Sequence, residues 1–121
     1  MARILLVEDD DEARQALKRI LEAAGHLVND VGDGRVALRR FVGDPPDLVI
    51  TDMYMPEMDG MDLLIRLREV FPEAKVVCIS GGGYAETEDV LKEFRRLGAA
   101  AVLKKPIDRV ELIKAVESSL G

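Results

Sequence analysis

Short apolar runs alternate with longer amphipathic segments along the whole chain, and this alternation restricts the fold more than any other feature. The runs are rich in Val, Ile and Leu, and polar residues interrupt the second of them. They lie at Ile4–Val7, Leu27–Val31, Leu48–Thr51, Val76–Ile79 and Ala100–Leu103. Runs of this length suit parallel strands that are covered on both faces, so each run is predicted to be a strand of this kind.

The amphipathic segments predict helices, because each has apolar residues at the spacing of one helix face. The sets are Ala13, Leu17, Ile20, Leu21 and Ala24; Val36, Leu38 and Phe41; Leu63, Leu64, Leu67 and Val70; Val90, Leu91, Phe94 and Leu97; and Val110, Ile113 and Val116. The last helix is expected to bury its three residues. Gly25 and Gly98 follow the first and fourth helices as C-caps, and Pro72 stops the third. Asp108 and Glu111 resemble a capping box at the start of the last helix.

Strands that alternate with helices, without a long linker or repeat, predict an α/β fold with a parallel sheet and right-handed crossovers. A chain of 121 residues has the size of one compact domain, so residues 1–121 are predicted to form a single domain. Ligands of such sheets bind at the carboxyl ends of the strands, near the point where the strand order reverses. The residues that directly follow each strand therefore carry the functional information.

Charge and cysteine content exclude several classes of function. A net charge of −6 disfavours nucleic acid or an anionic membrane as a direct partner, because both need basic patches. No apolar run approaches the roughly 20 residues of a membrane span, and the N-terminus lacks a signal-peptide layout. Cys78 cannot form an internal disulfide and is predicted to be a buried structural thiol in "VVCIS". We therefore expect a cytoplasmic protein.

Complementary polar groups follow the central strands. Glu8 and Asp9 come after the first run, and Asp52 comes after the third. Ser80, followed by "GGG", comes after the fourth, and Lys105 in "VLKKPID" comes after the fifth. Any one of them could be a solvated loop residue. That interpretation weakens because every central strand of the predicted sheet ends in a complementary group, so that carboxylates, a hydroxyl and an ammonium group meet at one edge.

Four segments carry a resemblance to a known family: "LLVEDD", "DLVITDMYMPEMDG", "VVCIS" and "VLKKP". In this order and spacing they resemble the receiver domain of two-component response regulators, across essentially the whole chain. The resemblance implies a flavodoxin-like (βα)5 fold, a doubly wound five-stranded parallel sheet with strand order 2-1-3-4-5. That order places the first and third strands side by side, so Asp9 and Asp52 are expected at the same edge.

The resemblance also implies a site for Mg²⁺ or Mn²⁺. Asp9 and Asp52 are the expected direct ligands, with Glu8 acting mainly through water and the backbone carbonyl of Tyr54 completing the protein's share. Magnesium prefers oxygen ligands and is held by one or two carboxylates plus phosphate oxygens, which explains acids that would otherwise repel one another. The following acids, Asp10–Glu12, are interpreted as helix-start residues that complement the helix dipole.

By the same resemblance Asp52 is the phosphoacceptor, since a carboxylate can form an aspartyl phosphate. Lys105 supplies positive charge to the phosphoryl group, and it is preferred over Lys104 because the lysine of the family directly precedes the proline. The bond from Lys105 to Pro106 is a candidate for the cis form. Ser80 is expected to donate a hydrogen bond to a phosphoryl oxygen once Asp52 is modified.

The implied function is a signalling switch that catalyses only its own phosphorylation and dephosphorylation. A sensor histidine kinase or a histidine phosphotransfer protein supplies the phosphoryl group, because His26 is the only histidine and is predicted to lie in a loop far from the site. Output is expected through a protein bound at the face of helix four, strand five and helix five. No output module follows Leu120, which leaves a stand-alone receiver, a relay intermediate and a receiver excised from a longer protein as open alternatives.

Three alternative functions belong to other classes. A degenerate receiver would act only as a protein-binding module. A haloacid-dehalogenase-type phosphohydrolase would need a second acid two residues after its nucleophile, where this chain has Tyr54. A flavodoxin-like nucleotide or flavin binder would need a phosphate-cradling loop after the first strand, where this chain has five consecutive acids.

Three features depart from the family pattern. Val102 stands where the family often has an aromatic residue that swings inward, so movement of the glycine-rich loop is expected to replace that motion. The segment from Ser80 to Gly98 is longer than in compact receivers, and "GGGYAETED" is predicted to be a mobile loop. Tyr54 lies near the path of a hydrolytic water. It either slows loss of the phosphate or merely covers the rim of the site, and the sequence favours neither.

Overall fold

A computed structural model describes residues 1–81 and 88–121 and has helices on both faces of a parallel sheet. The strands are β1 (Arg3–Val7), β2 (Leu27–Val31), β3 (Leu48–Asp52), β4 (Val76–Ser80) and β5 (Ala101–Lys104). The helices are α1 (Asp11–Ala23), α2 (Gly34–Gly43), α3 (Gly60–Val70), α4 (Glu88–Arg96) and α5 (Arg109–Leu120). Each strand lies within one residue of its predicted bounds. Asp52 and Ser80 are the last residues of their strands rather than the first residues after them.

The strand order is β2-β1-β3-β4-β5, and every pairing is parallel, which confirms the predicted topology. Val7 lies opposite Val31 on one side and opposite Thr51 on the other. In the next pair, Asp52 lies opposite Ile79. This register brings the carboxyl ends of β1, β3 and β4 to one edge of the sheet.

The core has two layers, because β3 and β4 are buried along their whole length and need cover on both faces. One layer packs α2, α3 and α4 onto the sheet through Phe41, Leu63, Leu64, Leu67, Leu91 and Phe94. The other packs α1 and α5 onto it through Leu17, Leu21, Leu112 and Val116. The two layers hold the central strands rigidly, and the strand ends that carry the polar residues are fixed with them.

The predicted burial of Val110 is wrong. Its exposed fraction is 56%, whereas Leu112 and Val116 are fully buried and Ile113 is half-buried. Residues two apart on a helix differ by about 200° around its axis. A helix that turns Leu112 and Val116 toward the sheet therefore turns Val110 away from it. Only the Asp108 half of the predicted capping box is confirmed, since the side chain of Asp108 accepts a hydrogen bond from the backbone N–H of Val110, and the part of Glu111 stays a prediction.

The C-terminal end of α4 is fastened to α3 by one side chain. Arg68 donates from Nε to the carbonyl of Leu97 at 2.9 Å and from Nη2 to the carbonyl of Gly98 at 2.6 Å. Gly98 has a φ of 94°, as predicted for a C-cap, and a Cβ there would lie 2.9 Å from Arg68 Nη2. At the other end of α4, Glu88 pairs with Lys104 at 3.5 Å, and both side chains are exposed.

Most of the predicted glycine-rich loop, "GGGYAETED", falls outside the described residues, and so does the prediction that it moves. Among the described helices, none is both long and apolar enough to cross a membrane.

Candidate functional site

Glu8 is a buried acid at the end of β1, with an exposed fraction of 1%. Its backbone N–H continues the sheet by donating to the carbonyl of Val31 at 3.0 Å, so the residue belongs to the rigid part of the strand. Its Oε2 accepts a hydrogen bond from the N–H of Asp10 at 3.1 Å. Asp9 is exposed, and the acids Asp11 and Glu12 lie in the first turn of α1, where they complement the helix dipole as predicted.

The carboxylate of Asp52 is held in one orientation at the end of β3. Its Oδ1 accepts a hydrogen bond from the N–H of Met53 at 2.8 Å, and its side chain is only 8% exposed. Gly60, the first residue of α3, packs directly against this strand end, because a Cβ there would come within 2.5 Å of the carbonyl oxygen of Asp52. Only glycine permits this approach, so the glycine of "MDG" is a packing requirement of the site.

Lys105 reaches two of these carboxylates. Its Nζ lies 3.2 Å from Oε1 of Glu8 and 3.4 Å from Oδ2 of Asp52, and its side chain is 35% exposed. Burial lowers the pKa of Lys105, but attraction to Asp52 and the hydrogen bond to Glu8 outweigh burial and raise the pKa above its ordinary value. The side chain is therefore an ammonium ion at neutral pH. The bond to Pro106 is cis, and Lys104 pairs with Glu88 instead.

The three acids form one cluster, in which an oxygen of each of Glu8, Asp9 and Asp52 lies within 4.8 Å of the others. Burial, and then the neighbouring Glu8, raises the pKa of Asp9, because both disfavour the charged form of its carboxyl group. A single ammonium group cannot balance three carboxylates. Hard oxygen donors at this spacing fit Mg²⁺ or Mn²⁺, which would supply the missing positive charge.

The remaining predicted residues lie at the same edge of the sheet. Ser80, at the end of β4, is 1% exposed. Tyr54 lies two residues beyond β3 and is 46% exposed, and the use of its carbonyl as a ligand stays a prediction.

Two residues that the sequence analysis did not identify, Arg14 and Asp30, support the acidic turn, by which we mean the chain at Glu8 and Asp9 after β1. Arg14 of α1 donates from Nη1 to the carbonyl of Glu8 at 3.0 Å and from Nε to Oδ2 of Asp30 in β2 at 3.0 Å. The pKa of Asp30 is lowered, first by the hydrogen bond from Lys18 and also by that from Arg14. Both Arg14 and Asp30 are 16% exposed. An acid in a strand and an arginine one turn into a helix were the available signals, but their contact depends on how α1 packs on β2.

Comparison with known proteins agrees with this geometry. The family model of the response regulator receiver domain matches residues 4–117. The chain belongs to the response regulator receiver family. Response regulator receiver protein CpdR of Brucella abortus (strain 2308) is 37% identical over 120 residues, which is 99% of this chain and 98% of that protein. The sporulation initiation phosphotransferase F of Bacillus subtilis (strain 168) is 31% identical over 118 residues, covering 98% and 93% of the two chains.

A crystal structure of chemotaxis protein CheY4 of Vibrio cholerae superposes with a TM-score of 0.90 at 27% identity and covers 99% of both chains. The receiver therefore has the flavodoxin-like fold that the sequence predicted, and its family acts in phosphorylation-based signalling.

Three further features that the sequence analysis discussed, Val102, Cys78 and the methionines near the site, belong to the packing of the core. Val102 is half-buried and packs against the core layer that contains Cys78, its neighbour across the ladder. Burial raises the pKa of Cys78 to about 12, so the predicted inert thiol is confirmed. Of the methionines near the site, Met53 and Met55 are buried in that layer, which agrees with a packing role.

The opposite edge of the receiver's sheet has an open groove of about 890 Å³, lined in part by Ala2, His26 and Phe71. His26 accepts a hydrogen bond at Nδ1 from the N–H of Ala2 at 3.1 Å. The predicted loop position of this histidine, far from the acidic cluster, is therefore confirmed.

Proposed function

We propose that this receiver is a phosphorylation-dependent switch that accepts a phosphoryl group on Asp52 in a reaction that depends on Mg²⁺. A sensor histidine kinase or a histidine phosphotransfer protein would supply the group, and residues 1–121 would act as one domain. The observation that carries the proposal is the oriented carboxylate of Asp52, with the Lys105 ammonium 3.4 Å from Oδ2 and two further acids beside it.

The chemistry follows from the charges of these residues. An oxygen of Asp52 attacks the phosphorus atom, a new O–P bond forms, and the bond from phosphorus to the donor nitrogen breaks with its electron pair leaving on the donor. The N–H of Met53 keeps the carboxylate from rotating during the attack. Lys105 stabilises the negative charge on the phosphoryl oxygens, and the hydroxyl of Ser80 donates a hydrogen bond to one of them.

Mg²⁺ would be held by Asp9, Asp52 and the carbonyl of Tyr54, with Glu8 acting through water. When bound, the ion supplies positive charge that offsets the carboxylates and the incoming phosphoryl oxygens. The donor set supports this assignment, since all three carboxylates offer hard oxygen atoms within 4.8 Å of one another.

Phosphorylation would then change the surface that a partner binds. The new phosphoryl charge draws in Ser80 and Lys105, which end β4 and directly follow β5. Movement of these residues is passed to α4, β5 and α5, where a downstream protein would bind. The chain would act on no substrate other than itself, and its location in the cytoplasm stays a prediction from the sequence.

One observation favours a second function. Val102 packs against the core, and a valine has no ring that could report phosphorylation by swinging inward. A receiver that cannot switch would act only as a protein-binding module.

Intact-mass measurement after incubation with acetyl phosphate, with and without Mg²⁺, tests the proposed transfer of a phosphoryl group to Asp52. The wild type is expected to gain one phosphoryl group only when Mg²⁺ is present, and Asp52→Asn is expected to gain none. Asp62→Asn is the matched control, because this acid lies exposed in the first turn of α3 and should not affect labelling. A wild-type protein that stays unlabelled while a known receiver is labelled would leave the binding module as the function.

A further inference from the structure

The guanidinium group of Arg14 joins three parts of the chain at the back of the acidic cluster. Nη1 donates to the carbonyl of Glu8 at 3.0 Å, Nε to Asp30 at 3.0 Å and Nη2 to Asp11 at 2.7 Å. Lys18 holds the other oxygen of Asp30 at 2.9 Å. Because Asp30 belongs to β2, the guanidinium is fixed by the sheet as well as by its own helix.

Gly32 provides the space for this contact. A Cβ at this position would lie 3.2 Å from Arg14 Nη1, 3.7 Å from the carbonyl oxygen of Glu8 and 3.9 Å from Cα of Asp9. The first distance is too short for an ordinary contact. The chain therefore has no side chain at the place where the guanidinium meets the acidic turn.

Charge distinguishes this arrangement from a simple ion pair. An unpaired arginine beside a cation site would repel the cation. Here Asp30 and Asp11 compensate the charge of Arg14, so its hydrogen bond to the turn adds little repulsion. The guanidinium can therefore restrain the backbone of Glu8 without opposing the binding of a metal ion.

We infer that Arg14, oriented by Asp30, is a positioning residue that fixes the turn from which Glu8 and Asp9 present their carboxylates to Mg²⁺. The inference rests on the proposed function, because it concerns the same metal site. Groups that orient metal ligands without touching the metal cost 10- to 100-fold in affinity when they are removed, in the order of magnitude seen for such sites generally.

Calorimetric titration of the unphosphorylated protein with MgCl₂ tests the inference without any phosphoryl transfer. Arg14→Met is expected to weaken Mg²⁺ binding about tenfold. Arg14→Lys should weaken it similarly, because lysine keeps the charge but lacks the planar fork. Lys18→Met is the matched control: it removes another hydrogen-bond donor to Asp30, does not touch the turn, and should change affinity by less than about twofold.

A tighter affinity in Arg14→Met would mean that charge repulsion dominates, and an unchanged affinity would mean that the residue only supports the fold; either result overturns the inference. Gly32→Ala gives a second test that keeps the arginine. It should weaken binding in the wild-type background and add nothing to Arg14→Met, whereas additive losses would contradict a shared mechanism.

The same titration separates this inference from the proposed function. If the wild type binds no Mg²⁺, or if Asp9→Asn binds it as tightly as the wild type, the metal site itself is wrong and the inference falls with it. If the wild type binds, Asp9→Asn does not, and Arg14→Met binds like the wild type, only the role of Arg14 is refuted.

Discussion

Replacing Asp9 with asparagine is expected to stabilise the metal-free protein and to reduce its stabilisation by Mg²⁺. Asp9 shares the cluster with two other carboxylates, and its pKa is raised first by burial and then by Glu8. An acid with a raised pKa in the folded state is less favourable when ionised there than in the unfolded chain. Asparagine keeps the shape of the side chain and removes the charge.

The size of the effect can be worked out from the spacing of the acids. Two unit charges 4.8 Å apart repel by about 0.9 kcal/mol in water, the medium appropriate to the exposed Asp9. Two such repulsions, less the attraction of Lys105, leave a net gain of about 1 kcal/mol for Asp9→Asn. In a domain of this size that gain raises Tm by about 3–5 °C. The wild type gains about 2.7 kcal/mol at a Mg²⁺ concentration 100 times its Kd, and the variant should gain much less.

Thermal unfolding followed by circular dichroism, in EDTA and in excess MgCl₂, measures both effects. The advantage of Asp9→Asn should be complete near neutral pH and should vanish as pH falls below the ordinary carboxyl pKa of 3.8, because Asp9 is then neutral in both states. Asp62→Asn, in the exposed first turn of α3, controls for the loss of one negative charge elsewhere. A lower Tm for Asp9→Asn in EDTA, or equal stabilisation of both proteins by Mg²⁺, would refute the reasoning.

Three further changes have defined outcomes. Lys105→Met leaves two buried carboxylates without their ammonium partner, so the free energy of unfolding in urea should fall by about 1–2 kcal/mol. The control Lys104→Met should lower it by less than about 0.5 kcal/mol, because the ion pair of Lys104 is exposed. Gly60→Ala forces a Cβ to within 2.5 Å of the carbonyl oxygen of Asp52, so it should lower the free energy of unfolding by about 2 kcal/mol or more and slow labelling by acetyl phosphate. Gly43→Ala is the control and should do neither, because a Cβ at Gly43 has nothing within 4 Å. Cys78, with its pKa raised to about 12, should react with a thiol reagent at pH 8 only after denaturation, and rapid labelling of the native protein would contradict its burial.

The fold was largely predictable because its signals are local. Strand positions follow from apolar runs bounded by turn residues, and the strand order follows from a family resemblance carried by four short segments. Val110 shows where local reasoning fails. Its three-residue spacing to Ile113 is compatible with a helix face, but the face that packs on the sheet is centred on Leu112 and Val116.

The candidate site likewise has residues that the sequence locates and contacts that it does not. Residues at strand ends could be located from the sequence, since a parallel sheet brings those ends together. The contact between Arg14 and the carbonyl of Glu8 could not, because it depends on the distance between α1 and β2. The requirement for glycine at positions 32 and 60 was also hidden, since it depends on how closely Gly32 approaches the side chain of Arg14 and Gly60 approaches the carbonyl of Asp52.

The side chain of Arg68 anchors the C-terminal end of α4, so this end is the pivot of any rotation of the helix that keeps its hydrogen bonds. The carbonyls of Leu97 and Gly98 accept its hydrogen bonds there, whereas the ion pair of Glu88 with Lys104 at the other end is exposed and contributes little. A motion that keeps the Arg68 bonds is therefore a swing about that end. The 9 residues of α4 form an arm of about 13 Å, so a swing of about 10° carries the first turn through about 2 Å. In such a swing the backbone of α4 moves farthest at its N-terminal end, which is the end that follows β4 in the chain.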